Sequence, residues 1–335
     1  MSPQSGFSGH PENSQDLPNP IPDFTDGFGE ELSEGLDEES LTPEMIRRAQ
    51  EGVSAARDRA VQYSIQLALQ RITDLTSESS PGASGEFRRQ VMWTLIHSLF
   101  RVRVEYPERL PKTSAILAAN HLNHIDPFIL LSEIPAQPYC HILGDARTLY
   151  NQGWKRKLLN WSGGVIPVER WWKEELAVIA GAQAGREDLA SLAAAIQQSV
   201  PSGSNMQTLR RIDRAVQTIL TEGDRIILFP EGRLGTQEAR LHLPFKRGTA
   251  IYALRTGAPI VPIALIGTRD LYLGKLITVR FGEPIPVPQV SRPKRQQINA
   301  VLQQLETALI DLLPPAYEEP KDFKLLRRFL NQMLC

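Results

Sequence analysis

Cysteine is nearly absent: Cys140 and Cys335 are the two in 335 residues. Two isolated thiols make no disulfide framework, and no C-x-x-C pair suggests a metal site. A reducing compartment is therefore expected. The chain has no run of about 18 consecutive apolar residues, so no spanning helix is expected. Its start is polar and acidic, unlike a secretory signal or a basic transit peptide. Lys and Arg are missing from residues 1–41, which hold ten of the 38 acidic residues. The remainder carries 37 basic against 28 acidic residues, so the formal charge of -1 conceals a basic body and an acidic tail. Such a body suits nucleic acid, phosphate-bearing substrates or an anionic lipid surface. Its basic residues are scattered rather than interleaved with aromatics, and no binding motif occurs, so nucleic acid is not expected as a partner.

What is there divides along the chain. Residues 1–41 are rich in Pro, Gly, Ser, Asp and Glu and read as a disordered tail. Thr42-Pro43 has the form of a helix start, and apolar spacing predicts one helix from Pro43 to about Thr76. The stretch 77–85 (SESSPGASG) breaks it, and a second helix is expected over 87–99. The region 42–84 is thus an N-terminal helical appendage. From about residue 101, short apolar strands alternate with helices. Strands are expected at 101–106, 114–119, 139–143, 164–168, 225–229, 260–265 and 276–281. Helices are expected near 127–134, 171–199, 205–221, 247–256 and 294–313. This alternation predicts an α/β domain over 85–313, with a mixed, mostly buried sheet flanked by helices. Residues 314–335 form a C-terminal amphipathic segment.

Four stretches carry candidate chemistry. The first is Asn120-His121-Leu122-Asn123-His124-Ile125-Asp126-Pro127, after an apolar strand. Across the turn, the Asp126 carboxylate can fix the His121 tautomer, leaving the other ring nitrogen to take a proton from a hydroxyl. A bland reading stands beside it: Asp126-Pro127 also has the form of a helix cap followed by a first-turn proline, and His121 can be a satisfied buried histidine. The second stretch is Phe229-Pro230-Glu231-Gly232-Arg233-Leu234-Gly235, again at a strand end, where α/β sheets build sites. Arg233 offers a planar fork suited to phosphate; an ordinary turn with a surface ion pair is the alternative. The third, Gly163 to Arg170, is a strand ending in Arg170. The fourth, Ala258 to Ile263, is an apolar strand with two prolines and reads as core.

Together and in this order, the stretches resemble the glycerolipid acyltransferase family that includes 1-acylglycerol-3-phosphate acyltransferases. The block N-H-x-x-x-x-D corresponds to Asn120, His121 and Asp126. G-x-I-x-V-x-R corresponds to Gly164, Ile166, Val168 and Arg170. F-P-E-G-R corresponds to Phe229–Arg233, and the proline-bearing strand to Pro259–Pro262. The resemblance spans roughly residues 95–313. It implies that His121 is the general base, Asp126 its support, and Arg170, Glu231, Gly232 and Arg233 the acceptor-binding set. His124 is given no catalytic role. No metal or cofactor is implied. The co-substrate is acyl-CoA or acyl-carrier protein, the acceptor a lysophospholipid, and the product of 1-acylglycerol 3-phosphate is phosphatidic acid in phospholipid biosynthesis. Glycerol 3-phosphate, another lysophospholipid, or a non-catalytic lipid-binding relative are the alternatives. Many members read F-P-E-G-T-R-S in the third block, whereas here Arg233 follows Gly232 directly. Residues 171–204 look like a helical insert.

A lipid acceptor implies peripheral contact with the cytoplasmic face of a membrane. Residues 90–104 and the segment 321–335 are amphipathic, with basic flanks, and are the candidate contacts; packing on the protein's own domain is the alternative. Trp154, Trp161, Trp171 and Trp172 can be interfacial, line an acyl pocket, or belong to the core.

Overall fold

A computed structural model describes residues 41–74, 84–203, 206–321 and 323–334. Except for Leu41, the acidic tail lies outside the described residues, as do most of the 77–85 break and Cys335.

The seven expected strands form, as β1 (Arg101–Glu105), β2 (Ala115–Ala119), β3 (Cys140–Asp145), β4 (Val165–Val168), β5 (Arg225–Leu228), β6 (Ile260–Ile266) and β7 (Leu276–Phe281). They make one sheet in the order β1-β7-β6-β2-β5-β3-β4. The strands β6, β2, β5, β3 and β4 run parallel; β7 runs antiparallel to β6 and parallel to β1. Parallel strands covered on both faces lose their polar alternation, and β2, β5 and β6 are buried at every residue. Toward the edge the alternation returns, with every second residue of β7 buried. The strand directions place the C-terminal ends of β2 to β6 on one sheet edge, together with the starts of β7 and β1.

The helices are α1 (Pro43–Arg57), α2 (Arg59–Asp74), α3 (Gly85–Leu99), α4 (Asp126–Glu133), α5 (Ala146–Tyr150), α6 (Gly153–Ser162), α7 (Lys173–Gln183), α8 (Glu187–Ser199), α9 (Met206–Thr221), α10 (Gly248–Thr256), α11 (Arg295–Leu312) and α12 (Arg327–Leu334). Two differences from the sequence reading have local causes. The single helix expected from Pro43 divides at Asp58, which takes an extended backbone and accepts the Ala60 N–H at 2.7 Å, starting a second helix. The helix expected over 171–199 divides at Gly185, where φ is +96°. The short helices α5 and α6 were not anticipated; Asp145 caps the first by accepting the Thr148 N–H at 2.9 Å.

One core cluster joins one face of the sheet to Val61, Ile65 and Ala68 of α2, Met92 and Ile96 of α3, and Phe128 to Leu131 of α4. On the other face α9, α10 and α11 meet β5, β2 and β6. A separate cluster holds the helix pair α7 and α8: Val178 and Ile179 of α7 and Leu189, Ala193 and Ile196 of α8 pack on Ala49, Val53 and Ala56 of α1. The N-terminal helices therefore serve two cores, α2 the sheet and α1 the α7–α8 pair.

Candidate active site

The chain leaves β2 at Ala119 and turns at once. Asn120 ends that turn's freedom: its Nδ2 donates to the Leu265 carbonyl at 2.9 Å and its Oδ1 accepts the Leu265 N–H at 2.7 Å. This buried amide ties the loop to the end of β6. The next residue, His121, is held from three sides. Its Nδ1 lies 2.9 Å from Asp126 Oδ2, its backbone N–H donates to Glu231 Oε1 at 2.9 Å, and its ring stacks on Phe229 with centroids 4.1 Å apart.

Asp126 is fully buried. Its Oδ2 also accepts the Leu122 and Asn123 N–H groups at 2.7 and 2.9 Å. These donors precede α4, so Asp126 does not cap the helix that follows; Ile125 occupies the cap position and Asp126 is the first helical residue. An oxygen that gathers backbone N–H donors is an acceptor, so Nδ1 carries the ring proton. The Nε2 lone pair is left outward, and among the described residues it has no hydrogen-bond partner. The His121 side chain is 16% exposed, enough for contact with a substrate atom. The other Asp126 oxygen, Oδ1, is buried and accepts no hydrogen bond among the described residues.

The loop from Phe229 to Arg247 closes over this pair. Glu231 is buried, and its second oxygen accepts the His242 N–H at 2.7 Å. Burial pushes its carboxyl above the ordinary glutamate range, while the His121 and His242 N–H donors pull the other way. Both oxygens are thus used on backbone, and Glu231 acts as a clamp within the site. Gly235 donates to the His121 carbonyl at 2.6 Å, an approach a side chain would obstruct, since a Cβ there would sit 2.9 Å from Leu122 Cδ2. Farther along, Glu238 accepts the Gly267 and Arg269 N–H groups at 3.1 and 2.8 Å and pins the loop to the end of β6.

The arginines converge from two directions. Arg170, just past β4, donates through Nη2 to the Gly232 carbonyl at 2.6 Å. Gly232 has φ +65°, and a Cβ there would lie 2.8 Å from Lys246 Cγ. Arg233 is exposed, and its Nη2 lies 2.9 Å from His242 Nδ1. Burial and then the neighbouring charges of Arg233, Lys173 and Lys246 lower the His242 pKa, which favours the neutral ring that can accept from Arg233. The structure so brings His121, Asp126, Arg170, Glu231, Gly232 and Arg233 to one sheet edge, although they come from three separate strand ends.

His124 stands edge-on to His121 with centroids 6.3 Å apart. Burial holds its imidazole well below the ordinary histidine range, with Lys155, His121 and Arg48 adding to the effect. Asn120 and Phe229 lay inside motifs, but only the fold reveals their partners. Glu238 and His242 carried no signal, because their partners lie 29 and 11 residues away. Of the tryptophans, Trp171 donates to the Val200 carbonyl at 3.0 Å and Trp172 to Asp145 Oδ2 at 2.9 Å. Trp154 packs beside Phe128, and Trp161 is exposed against Phe87.

The arrangement can hold a neutral imidazole in one tautomer, support its positive charge after proton uptake, and present guanidinium groups to an anion nearby. The family model described as Acyltransferase matches residues 101–266. A 1-acyl-sn-glycerol-3-phosphate acyltransferase from Cocos nucifera is 33% identical over 124 residues, 36% of this chain. The match spans only 38% of that relative's length. The crystal structure of the 1-acyl-sn-glycerophosphate (LPA) acyltransferase PlsC from Thermotoga maritima aligns with 78% of this chain and 85% of its own, at 17% identity and a TM-score of 0.42. With its motif residues gathered at one edge of the sheet and the Acyltransferase match lying over that same region, the chain belongs to the glycerolipid acyltransferase family.

Proposed function

We propose that the protein transfers a fatty acyl group from an acyl thioester to the free hydroxyl of a lysophospholipid, with 1-acylglycerol 3-phosphate as acceptor and phosphatidic acid as product. The observation that carries this is the His121 Nδ1 contact with the buried Asp126 carboxylate at 2.9 Å, with Nε2 facing out beside the arginine-bearing loops. Nε2 takes the hydroxyl proton as the oxygen attacks the thioester carbonyl. Asp126 supports the imidazolium so formed. The C–S bond breaks, and the departing thiolate takes the proton back from Nε2, so the histidine ends as it began. The thioester supplies the activated acyl group, and the step calls for no further cofactor. Acyl-CoA or acyl-carrier protein is the donor.

Arg170 and Arg233 bind the acceptor phosphate. Arg170 uses one N–H on the Gly232 carbonyl and keeps the rest of its fork for an anion. Glu231 and Gly232 shape the loop that presents them. The acceptor's acyl chain places the enzyme at the cytoplasmic face of a membrane as a peripheral protein. Among the described residues no helix is long and apolar enough to cross one.

The test is transfer of a labelled acyl group to 1-acylglycerol 3-phosphate, other lysophospholipids and glycerol 3-phosphate, from both donor types. Phosphatidic acid formation by the wild type, lost in a folded His121→Ala variant, supports the reading. Turnover of another acceptor alone keeps the chemistry and reassigns the substrate. No turnover with any acceptor overturns it.

A further inference from the structure

We propose that the C-terminal strap, residues 323–334, together with the turn entering β7, is the surface on which the protein sits on an anionic lipid bilayer. This deepens, and rests on, the reading of a lipid acceptor.

The strap is docked with few groups. Leu330 enters the core, Asn331 exchanges hydrogen bonds with the Leu271 backbone at 2.9 and 3.2 Å, and Leu273 donates its N–H to the Leu325 carbonyl at 2.9 Å. Asp270 takes Lys324 and Arg327 at 2.6 and 2.7 Å. The buried Lys275 takes Glu319 at 2.6 Å. These contacts leave the larger apolar side chains outside. Phe323 is 88% exposed and Phe329 58%, with Leu325, Leu326, Leu273 and Leu276 exposed around them. Of these only Phe329 lies on the helix Arg327–Leu334, and a segment that only packed on its own domain would turn such side chains inward.

Charge and position point to a lipid surface. The acids that hold the strap, Asp270 and Glu319, are matched by Lys275, Lys324 and Arg327, while Lys321, Arg328 and Arg101 remain exposed around the apolar face. An apolar face rimmed by cations is the composition that binds anionic bilayers. Because β7 runs antiparallel to β6, Leu276 starts at the edge where β2 delivers His121. Only β6 intervenes between β7 and β2, a span of about 10 Å at ordinary strand spacing. Docking by the strap therefore brings the His121 edge of the sheet to the surface that holds the acceptor.

The experiment is flotation of the full-length protein with vesicles of phosphatidylcholine, with and without phosphatidylglycerol. The wild type floats with the anionic vesicles, less so as salt is raised. The double variant Phe323→Asp/Phe329→Asp loses about tenfold in partitioning, and Arg328→Glu loses binding to the anionic vesicles. Both keep the wild-type rate on detergent-dispersed acceptor, which shows they are folded. Wild-type-like flotation of the double variant overturns the proposal. So does failure of the wild type to float, or a change from dimer to monomer in the double variant, which would make a second copy the occupant. Loss in Arg328→Glu of binding to an acidic carrier protein, without any vesicle binding by the wild type, would assign the face to a protein instead. Strap-dependent flotation of a protein that transfers no acyl group would leave this surface standing while the acyltransferase reading falls.

Discussion

The backbone nitrogen of His121 and the carboxylate of Glu231 are 110 residues apart in sequence and 2.9 Å apart in space. With the other Glu231 oxygen on the His242 N–H, one buried side chain joins the turn after β2 to both ends of the loop after β5. The proposed base and the proposed phosphate-binding arginines are thereby held in one frame.

Glu231→Ala leaves two backbone donors without an acceptor. The expected loss is about 1–3 kcal/mol for each donor that stays buried, read from urea unfolding, together with a fall in acyl transfer. Glu231→Gln keeps one oxygen acceptor and is expected to fall between Ala and wild type. Equal stability of Ala and wild type would remove the clamp role.

Asp126→Asn fits the same space and can still accept the Leu122 and Asn123 N–H groups, but has no charge to support an imidazolium. A drop in kcat of roughly 10²–10⁴ is expected with folding retained. Rates and circular dichroism on the same preparation check this. A near-wild-type rate would mean that Asp126 serves the turn alone.

Gly232→Ala places a side chain at φ +65° and against Lys246. The left-handed backbone alone costs roughly 1–2 kcal/mol, and the Gly232 carbonyl shifts away from Arg170. The expected signature is a raised KM for the phosphate-bearing acceptor beyond the stability loss.

Glu175 of α7 forms a buried ion pair with Arg147 at 2.5 Å. Glu175→Ala strands the Arg147 charge and is expected to destabilise the fold by about 3–5 kcal/mol. Replacing both, with Arg147→Met and Glu175→Leu, is expected to recover most of that, as measured by chemical unfolding. This pair, with Trp172 on Asp145, fastens α7 to the end of β3 and to α5.

The half-buried imidazole of His124 and the buried one of His141 give stability a pH dependence. Burial lowers both below the ordinary value of 6.5, against the opposing pull of Asp224 on His141. Between the depressed folded values and 6.5, the unfolded chain binds more protons, so stability is lost as pH falls through that window. Glu231 and Glu238, raised by burial, contribute in the opposite sense above 4.5. The difference between wild type and His124→Gln isolates the first effect: it should favour the wild type increasingly as pH rises toward 6.5. A difference flat in pH would contradict a His124 held neutral by its surroundings.

The strands were legible because β2, β5 and β6 are apolar at nearly every position, a pattern that burial on both faces demands. The break at Asp58 was hidden because the apolar spacing runs through it, and only the side-chain bond to the Ala60 N–H marks the interruption. His121 and Asp126 could be paired on paper because five residues and one turn separate them. The role of Asp126 as helix cap or histidine partner could not be decided there, since both readings use the same Asp-Pro. The donors on Oδ2, all from residues before the helix, decide it.

By itself the sequence determined which segments had to be buried, which residue types could do acid–base and anion-binding chemistry, and the order of the motifs that mark the family. These are local properties, set by side-chain chemistry and by periods of two and 3.6 residues. Only the tertiary structure decided that Glu231 spends its carboxylate on the backbone of His121, that α1 is the seat of the α7–α8 pair, and that the strap keeps its phenylalanines outside. Each of those depends on contacts between segments far apart in the chain, and such contacts follow from strand order and direction, which no local pattern encodes.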